Sequence, residues 1–136
     1  MAEGKLLLKP DQDFTAVLDA ELPSISTLPL PQALERLTVL EKQTRQANDA
    51  ISTKRILVKV VQLCSQSNEW DVLNDQILAF TKKQGQLKAA VQGMVGECWG
   101  LLNGRDWERE GKVDVRDKLI ETLRVVTEGK VSITLL

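Results

Sequence analysis

The sequence contains no histidine and no tyrosine. The first absence removes the side chain that most often moves protons near neutral pH, and the second removes a phenolic alternative. Aromatic residues make up only 4% of the 136 residues, as three Trp and two Phe. Cysteine is almost as scarce: Cys64 and Cys98 are the only two, and both fall inside apolar stretches. Without histidine they cannot complete a four-ligand zinc site unless carboxylates or a second chain contribute. A disulfide is disfavoured in a reducing compartment, and unpaired Cys packs like a small hydrophobe, so buried free thiols are expected. Charge of one sign is also missing, because eighteen basic residues against nineteen acidic ones leave a formal charge of −1. No basic excess draws in nucleic acid, and no acidic block calls for a cationic partner. No apolar run reaches the length of a membrane span, and the three leucines before Lys9-Pro10 are too few for a signal-peptide core. A location in cytoplasm or nucleus, away from membranes, is the expectation.

Motifs of known chemistry are absent as well. No G-x-S-x-G, Walker loop or dinucleotide glycine pattern occurs. Gly93, Gly96 and Gly100 are spaced along one helix rather than in a phosphate loop, and read as points of close helix–helix approach. The carboxylate pairs Asp11/Asp13 and Glu108/Glu110 lie in polar stretches and read as solvated surface. "KKQGQLK", Lys82–Lys88, is a modest basic cluster that reads as a solvated turn, with an anion site as the lesser alternative. The sequence therefore offers no catalytic, cofactor-binding or metal-binding residue, and no enzyme, cofactor or metal is expected.

What is present is helical periodicity. In "ILVKVVQLC", Ile56, Leu57, Val60, Val61 and Cys64 follow the stripe of an amphipathic helix, despite a density of β-branched residues that suits a strand. Lys59 and Gln62 break the alternation a strand requires, and Ser52 can cap the first turn. β-Branched residues cost several tenths of a kcal/mol each in helix propensity, which burial outweighs. "PQALERLTVLEKQTRQA" opens on Pro31 and aligns Ala33, Leu37, Leu40, Thr44 and Ala47. "EWDVLNDQILAFTKK" places Trp70, Leu73, Ile77 and Phe80 on a narrow arc. Acidic residues stand near its start and Lys82 and Lys83 in its last turn, before a stop at Gly85. "QLKAAVQGMVGECWGLL" gathers Leu87, Val91, Met94, Val95, Cys98 and Leu102, and Asn103-Gly104 ends it. "VRDKLIETLRVVTEGK" aligns Leu119, Ile120, Leu123 and Val126 and closes with Gly129. A weaker helix, "DFTAVLDAEL", precedes Pro23.

Five main helices with short connections imply antiparallel neighbours. Two pairs stand out, near 31–66 and 69–103, with Cys64 and Cys98 thirty-four positions apart on corresponding faces. Trp70, Leu73 and Ile77, with Asn74 between, loosely follow the opening of a tetratricopeptide repeat with two substitutions. The expected fold is all-α: antiparallel helical hairpins stacked as a tetratricopeptide-like α-solenoid, with a plain helical bundle as the alternative. Of the tryptophans, Trp70 belongs to the core arc. Trp99 falls beside the Leu102 face and could pack on a neighbouring helix or on another protein. Trp107, in "NGRDWEREGK", reads either as an interface anchor or as a local cap over the core.

The wording of several blocks is more specific than their periodicity. "LEKQTRQANDAISTKRILVKVVQLC", "EWDVLNDQI", "KKQGQLKAAVQGMV" and "LIETLRVVTEGK" occur in this order within residues 32–130. They resemble the N-terminal region of a 26S proteasome family, the regulatory-particle lid subunit known as non-ATPase subunit twelve. The resemblance implies a helical-repeat arm followed by a PCI domain, in a scaffold without catalytic residues. Its partners would be other lid subunits, with the base or core particle as further contacts and a role in ubiquitin-dependent proteolysis. The expected organisation is an N-terminal segment with a short helix over 1–30, helical repeats over 31–130 and an irregular tail over 131–136. A PCI region does not follow "TEGK", so a fragment, a truncated gene model or a spliced product is expected. "NGRDWEREGKVDV" has no counterpart in the resemblance and reads as a variable loop. A related COP9 signalosome subunit and a free-standing helical adaptor are the alternative functions.

Overall fold

A computed structural model describes residues 12–128. Six α-helices follow one another: α1 (Thr15–Ile25), α2 (Leu30–Gln46), α3 (Ala50–Gln66), α4 (Trp70–Thr81), α5 (Lys88–Gly104) and α6 (Val113–Glu128). No strand occurs among the described residues. The tail at 131–136, Gly129 and Asp11 lie outside them.

The two expected pairs are α2–α3, which pack closely, and α4–α5, which are successive but touch each other only lightly. The third helix lies at the centre of the stack, touching α2 and α4 and making its most extensive contact with α5; α4 in turn carries α6. The β-branched segment is helical for the reason its spacing gives. Ile56, Leu57, Val60, Val61 and Cys64 are all buried between α2, α4 and α5. Burying each large apolar side chain is worth about 1.5–3 kcal/mol, several times its propensity penalty. One core runs from Leu18, Leu22 and Ile25 of α1 through all six helices to Leu119, Leu123 and Val126 of α6.

Two helix ends and the turn before α6 share one geometry. Asn48 and Asn68 take left-handed backbone angles, φ 58° and 57°. At the first, the N–H of Asp49 donates to Thr44 O at 2.9 Å and that of Asn48 to Arg45 O at 3.1 Å. At the second, Glu69 donates to Cys64 O and Asn68 to Ser65 O over the same distances. This pairing satisfies the last carbonyls of the preceding helix, and Asn is one of the few side-chain-bearing residues that adopts the required conformation readily. Gly111, φ 72°, repeats the arrangement before α6, with Lys112 N–H on Trp107 O. "QAND" and "QSNE", twenty residues apart in the sequence, are the local signature of the first two.

Several expectations about helix ends need correction. Ser52 does not cap α3; Asp49 does, its carboxylate accepting from Ser52 N–H at 3.1 Å. Ser52 is one turn inside and buried, because the Asn48 turn brings Asp49 to the boundary. The first helix does not stop before Pro23 but runs through it to Ile25. Proline leaves the Asp19 carbonyl without its intrahelical donor, and Asp19 is exposed, so water can serve. Lys82 and Lys83 lie at and beyond the end of α4, not in its last turn, and Gly85 (φ 74°) belongs to the following loop. Of Gly93, Gly96 and Gly100 in α5, only Gly93 marks a close approach: a Cβ there would stand 2.6 Å from the Lys54 side chain. Gly96 and Gly100 face open space.

Candidate interaction surface

Titratable groups are committed to structure rather than gathered in a cleft. Among the described residues, no cluster of three or more Cys, Asp or Glu could hold a metal ion. Cys64 and Cys98 are buried, unpaired thiols. Burial raises the first to about 11, helped by nearby Glu69, and the second to about 12, helped by Glu97 and by Cys64 itself. Thiolates of such basicity are not formed near neutral pH, so neither is a nucleophile there. Hydrogen bonds from Thr15 hold the Asp13 carboxyl below its ordinary value. A hydrogen bond from Arg105 does the same for Glu110. Glu108 is exposed and Glu110 is paired with Arg105, as solvated surface would have it.

Three buried polar knots tie neighbouring units together. In the first, Asp49 caps α3 with one carboxylate oxygen and accepts from Phe14 N–H at 2.7 Å with the other, pinning the start of α1 to the α2–α3 turn. In the second, the fully buried Glu41 of α2 accepts from Arg45 Nε and from Gln86 Nε2, both at 2.9 Å. Arg45 extends to Gln84 O at 2.9 Å, and Gln86 bridges Phe80 O and Leu87 N–H. The third joins α4 to α6: Thr122 donates to Asn74 Oδ1, while Asn74 Nδ2 donates to Trp70 O at 2.8 Å. Asn74 occupies the glycine position of the tetratricopeptide pattern, and this bond accounts for the substitution.

The tryptophans divide between core and surface. Trp107 is 3% exposed, and its indole N–H donates to Leu102 O at 3.1 Å. It meets Trp70 edge-on, ring centroids 5.2 Å apart. The Arg105 guanidinium stands 5.1 Å from the Trp70 centroid and 5.0 Å from that of Trp107, held by Glu110. Of the two readings open for Trp107, the structure takes the cap over the core. Trp99 packs half-buried against the core, and its indole N–H is buried without a hydrogen-bond partner among the described residues. Outer faces carry the charge, interrupted by a few exposed apolar side chains: Leu28, Val39, Ile51 and Val125. Among the described residues the arrangement offers surfaces for contact and shallow, open grooves between helices.

Comparison with known proteins narrows what those surfaces belong to. A family model described as PSMD12/CSN4, N-terminal, matches residues 32–134. The chain belongs to that family. The match begins inside α2 and continues past the last described residue, so it takes in both hairpins and α6. The yeast Saccharomyces cerevisiae 26S proteasome regulatory subunit RPN5 is 40% identical over 127 residues, 91% of this chain and 28% of RPN5. The fission yeast Schizosaccharomyces pombe regulatory subunit rpn501 is 34% identical over 128 residues, 90% of this chain and 27% of that protein. In Arabidopsis thaliana, 26S proteasome non-ATPase regulatory subunit 12 homolog A is 36% identical over 102 residues, 75% of this chain and 22% of its own length. The chain thus spans about a quarter of the length of these curated relatives. In this member of the family the described part of the matched region is a stack of antiparallel helices, and the polar knots hold the stack together.

Proposed function

We propose that the chain is a structural, non-catalytic component of the 26S proteasome regulatory particle, built as a helical-repeat arm that holds lid subunits together during ubiquitin-dependent proteolysis. The family match over residues 32–134, alongside relatives named as proteasome regulatory subunits, carries this reading. The fold supports it: charged outer faces on a rigid stack suit assembly contacts, with base and core-particle subunits as further partners. Cytoplasm and nucleus are where such a component would act. Affinity-tagged chain should recover regulatory-particle subunits from cell extract in constant proportion. Regulatory particles assembling at normal yield in cells lacking the gene would defeat the proposal. Because the family name joins PSMD12 with CSN4, the same purification distinguishes a COP9 signalosome role, in which signalosome subunits are recovered instead.

A further inference from the structure

One edge of the stack is formed by the α2–α3 turn, the 82–87 loop and the N-terminal halves of α3 and α5. Glu41 and Arg45 of α2 bind the loop there through Gln86 and Gln84. Between α3 and α5 lies an open groove of about 450 Å³, lined by Ala50, Ile51, Lys54, Ala89, Gln92 and Gly93. Ile51 is 72% exposed, the most exposed large hydrophobic side chain among the described residues. Gly93 has no side chain, and the methylenes of Lys54 occupy the space above it.

The charge this edge presents to solvent is basic, because its carboxylates, Glu41 and Asp49, are buried. Lys54, Lys82, Lys83 and Lys88 form no salt bridge among the described residues. The edge's own carboxylates cannot answer them: Glu41 is taken by Arg45 and Gln86, and Asp49 by two backbone N–H groups. Lys82 and Lys83 stand favourably at the end of α4, but Lys88 stands in the first turn of α5, against the helix dipole. That helix start has neither a side-chain cap nor an acidic residue. A helix N-terminus beside unpaired lysines lacks a negative charge.

We propose that this edge docks an acidic peptide segment of a neighbouring protein. An apolar side chain of the segment sits against Ile51 and the Lys54 methylenes that cover Gly93, and flanking carboxylates meet the Lys54 and Lys88 ammonium groups. Nucleic acid fits less well. The edge has no exposed aromatic ring to stack on a base, and its arginine, Arg45, is committed to Glu41 and Gln84. The inference rests on the assembly reading above and adds the chemistry of one contact.

The test is fluorescence anisotropy with the whole chain and a short labelled peptide in which glutamates flank a single leucine. The same peptide with lysines for glutamates, and a thymidine oligonucleotide, are the comparisons. Binding of the acidic peptide alone is expected, weakening with salt and falling roughly tenfold in the double variant Lys54→Glu, Lys88→Glu. Ile51→Ser should weaken binding while leaving the salt dependence unchanged. Equal binding of the reversed-charge peptide, no binding of the acidic one, or tighter binding of the oligonucleotide would overturn the proposal. Co-purification separates this from the assembly reading. If wild type and double variant recover regulatory-particle subunits equally and the peptide does not bind, only the docking edge fails. If neither recovers them, the assembly reading fails and this inference with it.

Discussion

The two hairpins turn their corners by different means. Between α2 and α3 the connection is three residues, Ala47, Asn48 and Asp49, and the last two make the turn. Asn48 takes the left-handed angle, and Asp49 closes one helix with its N–H and opens the next with its carboxylate. Between α4 and α5 the chain uses residues 82–87, held partly by local bonds, with Gln86 N–H on Lys83 O and Gln86 Nε2 on Phe80 O, and partly by α2. Gln86 reaches Glu41, 45 residues away in sequence, and Gln84 O receives Arg45 across 39. The first corner is encoded within its own few residues. The second adds to its local bonds two long-range ones from Glu41 and Arg45, so the polar contact that braces the loop also registers one repeat against the next.

This contrast can be broken most severely at Glu41. Glu41→Ala leaves the part-buried Arg45 without its partner and the loop without its anchor, and should cost about 3–5 kcal/mol in urea unfolding. Amide exchange at Gln86 and Leu87 should accelerate beyond the global change. A loss under about 1 kcal/mol, with the loop still protected, would mean that the second corner holds itself. Asp49→Ala comes next, at about 2 kcal/mol, since it removes both a helix cap and the acceptor of Phe14 N–H. Its effect should appear in α1 and the first turn of α3 and spare the 82–87 loop. Accelerated exchange there as well would show that the two corners are coupled. Asn48→Ala is smaller, about 1 kcal/mol, the cost of placing Ala in the left-handed region. Asn48→Gly should lie within a few tenths of wild type, and an equal loss in both variants would point to a side-chain role for Asn48.

The same contrast separates what is legible in the sequence from what is not. Helix identity is legible even in the β-branched segment, because Ile56, Leu57, Val60, Val61 and Cys64 repeat at helical spacing whatever their propensity. Glu41 is not. It lies four residues after Leu37 and three before Thr44, squarely on the buried stripe of α2, yet a charged side chain reads as solvated until a partner is known. Arg45 is visible one turn away; Gln86 is not, since nothing local links residues 41 and 86. Ser52 reads as the α3 cap unless the left-handed turn at Asn48 is recognised, and the repeat of "QAND" as "QSNE" is the signal for it. Trp107 divides between anchor and cap for the opposite reason: its neighbours in sequence are polar, while its neighbours in space are Trp70 and the end of α5. The docking edge is hidden because "KKQGQLK" is an ordinary solvated turn on its own. It gains meaning only when α3 brings Lys54 and Ile51 alongside.

The smallest expected effect compares equivalent positions of the two hairpins, Cys64 on α3 and Cys98 on α5. Both thiols are raised above the ordinary 9.0, Cys64 to about 11 and Cys98 to about 12, chiefly by burial. A thiol is neutral when protonated, so a raised value means that the folded chain holds its proton more tightly than the unfolded chain. The resulting stability is fully present below pH 9 and is lost as the pH climbs through 11 and 12. Around neutral pH neither cysteine should influence stability through ionisation, and a water-soluble disulfide reagent should label both only as fast as the chain opens. On raising the pH from 9, a Cys98→Ala chain, which keeps Cys64, should label sooner than a Cys64→Ala chain, which keeps Cys98. The order follows from burial: Cys98 lies under the most extensive helix contact of the stack, whereas the Cys64 carbonyl already belongs to the Asn68 turn at the end of α3. Labelling in the reverse order would mean that the α3–α5 seam opens before that turn does, and the turn, not the seam, would then be the firmer part of the repeat.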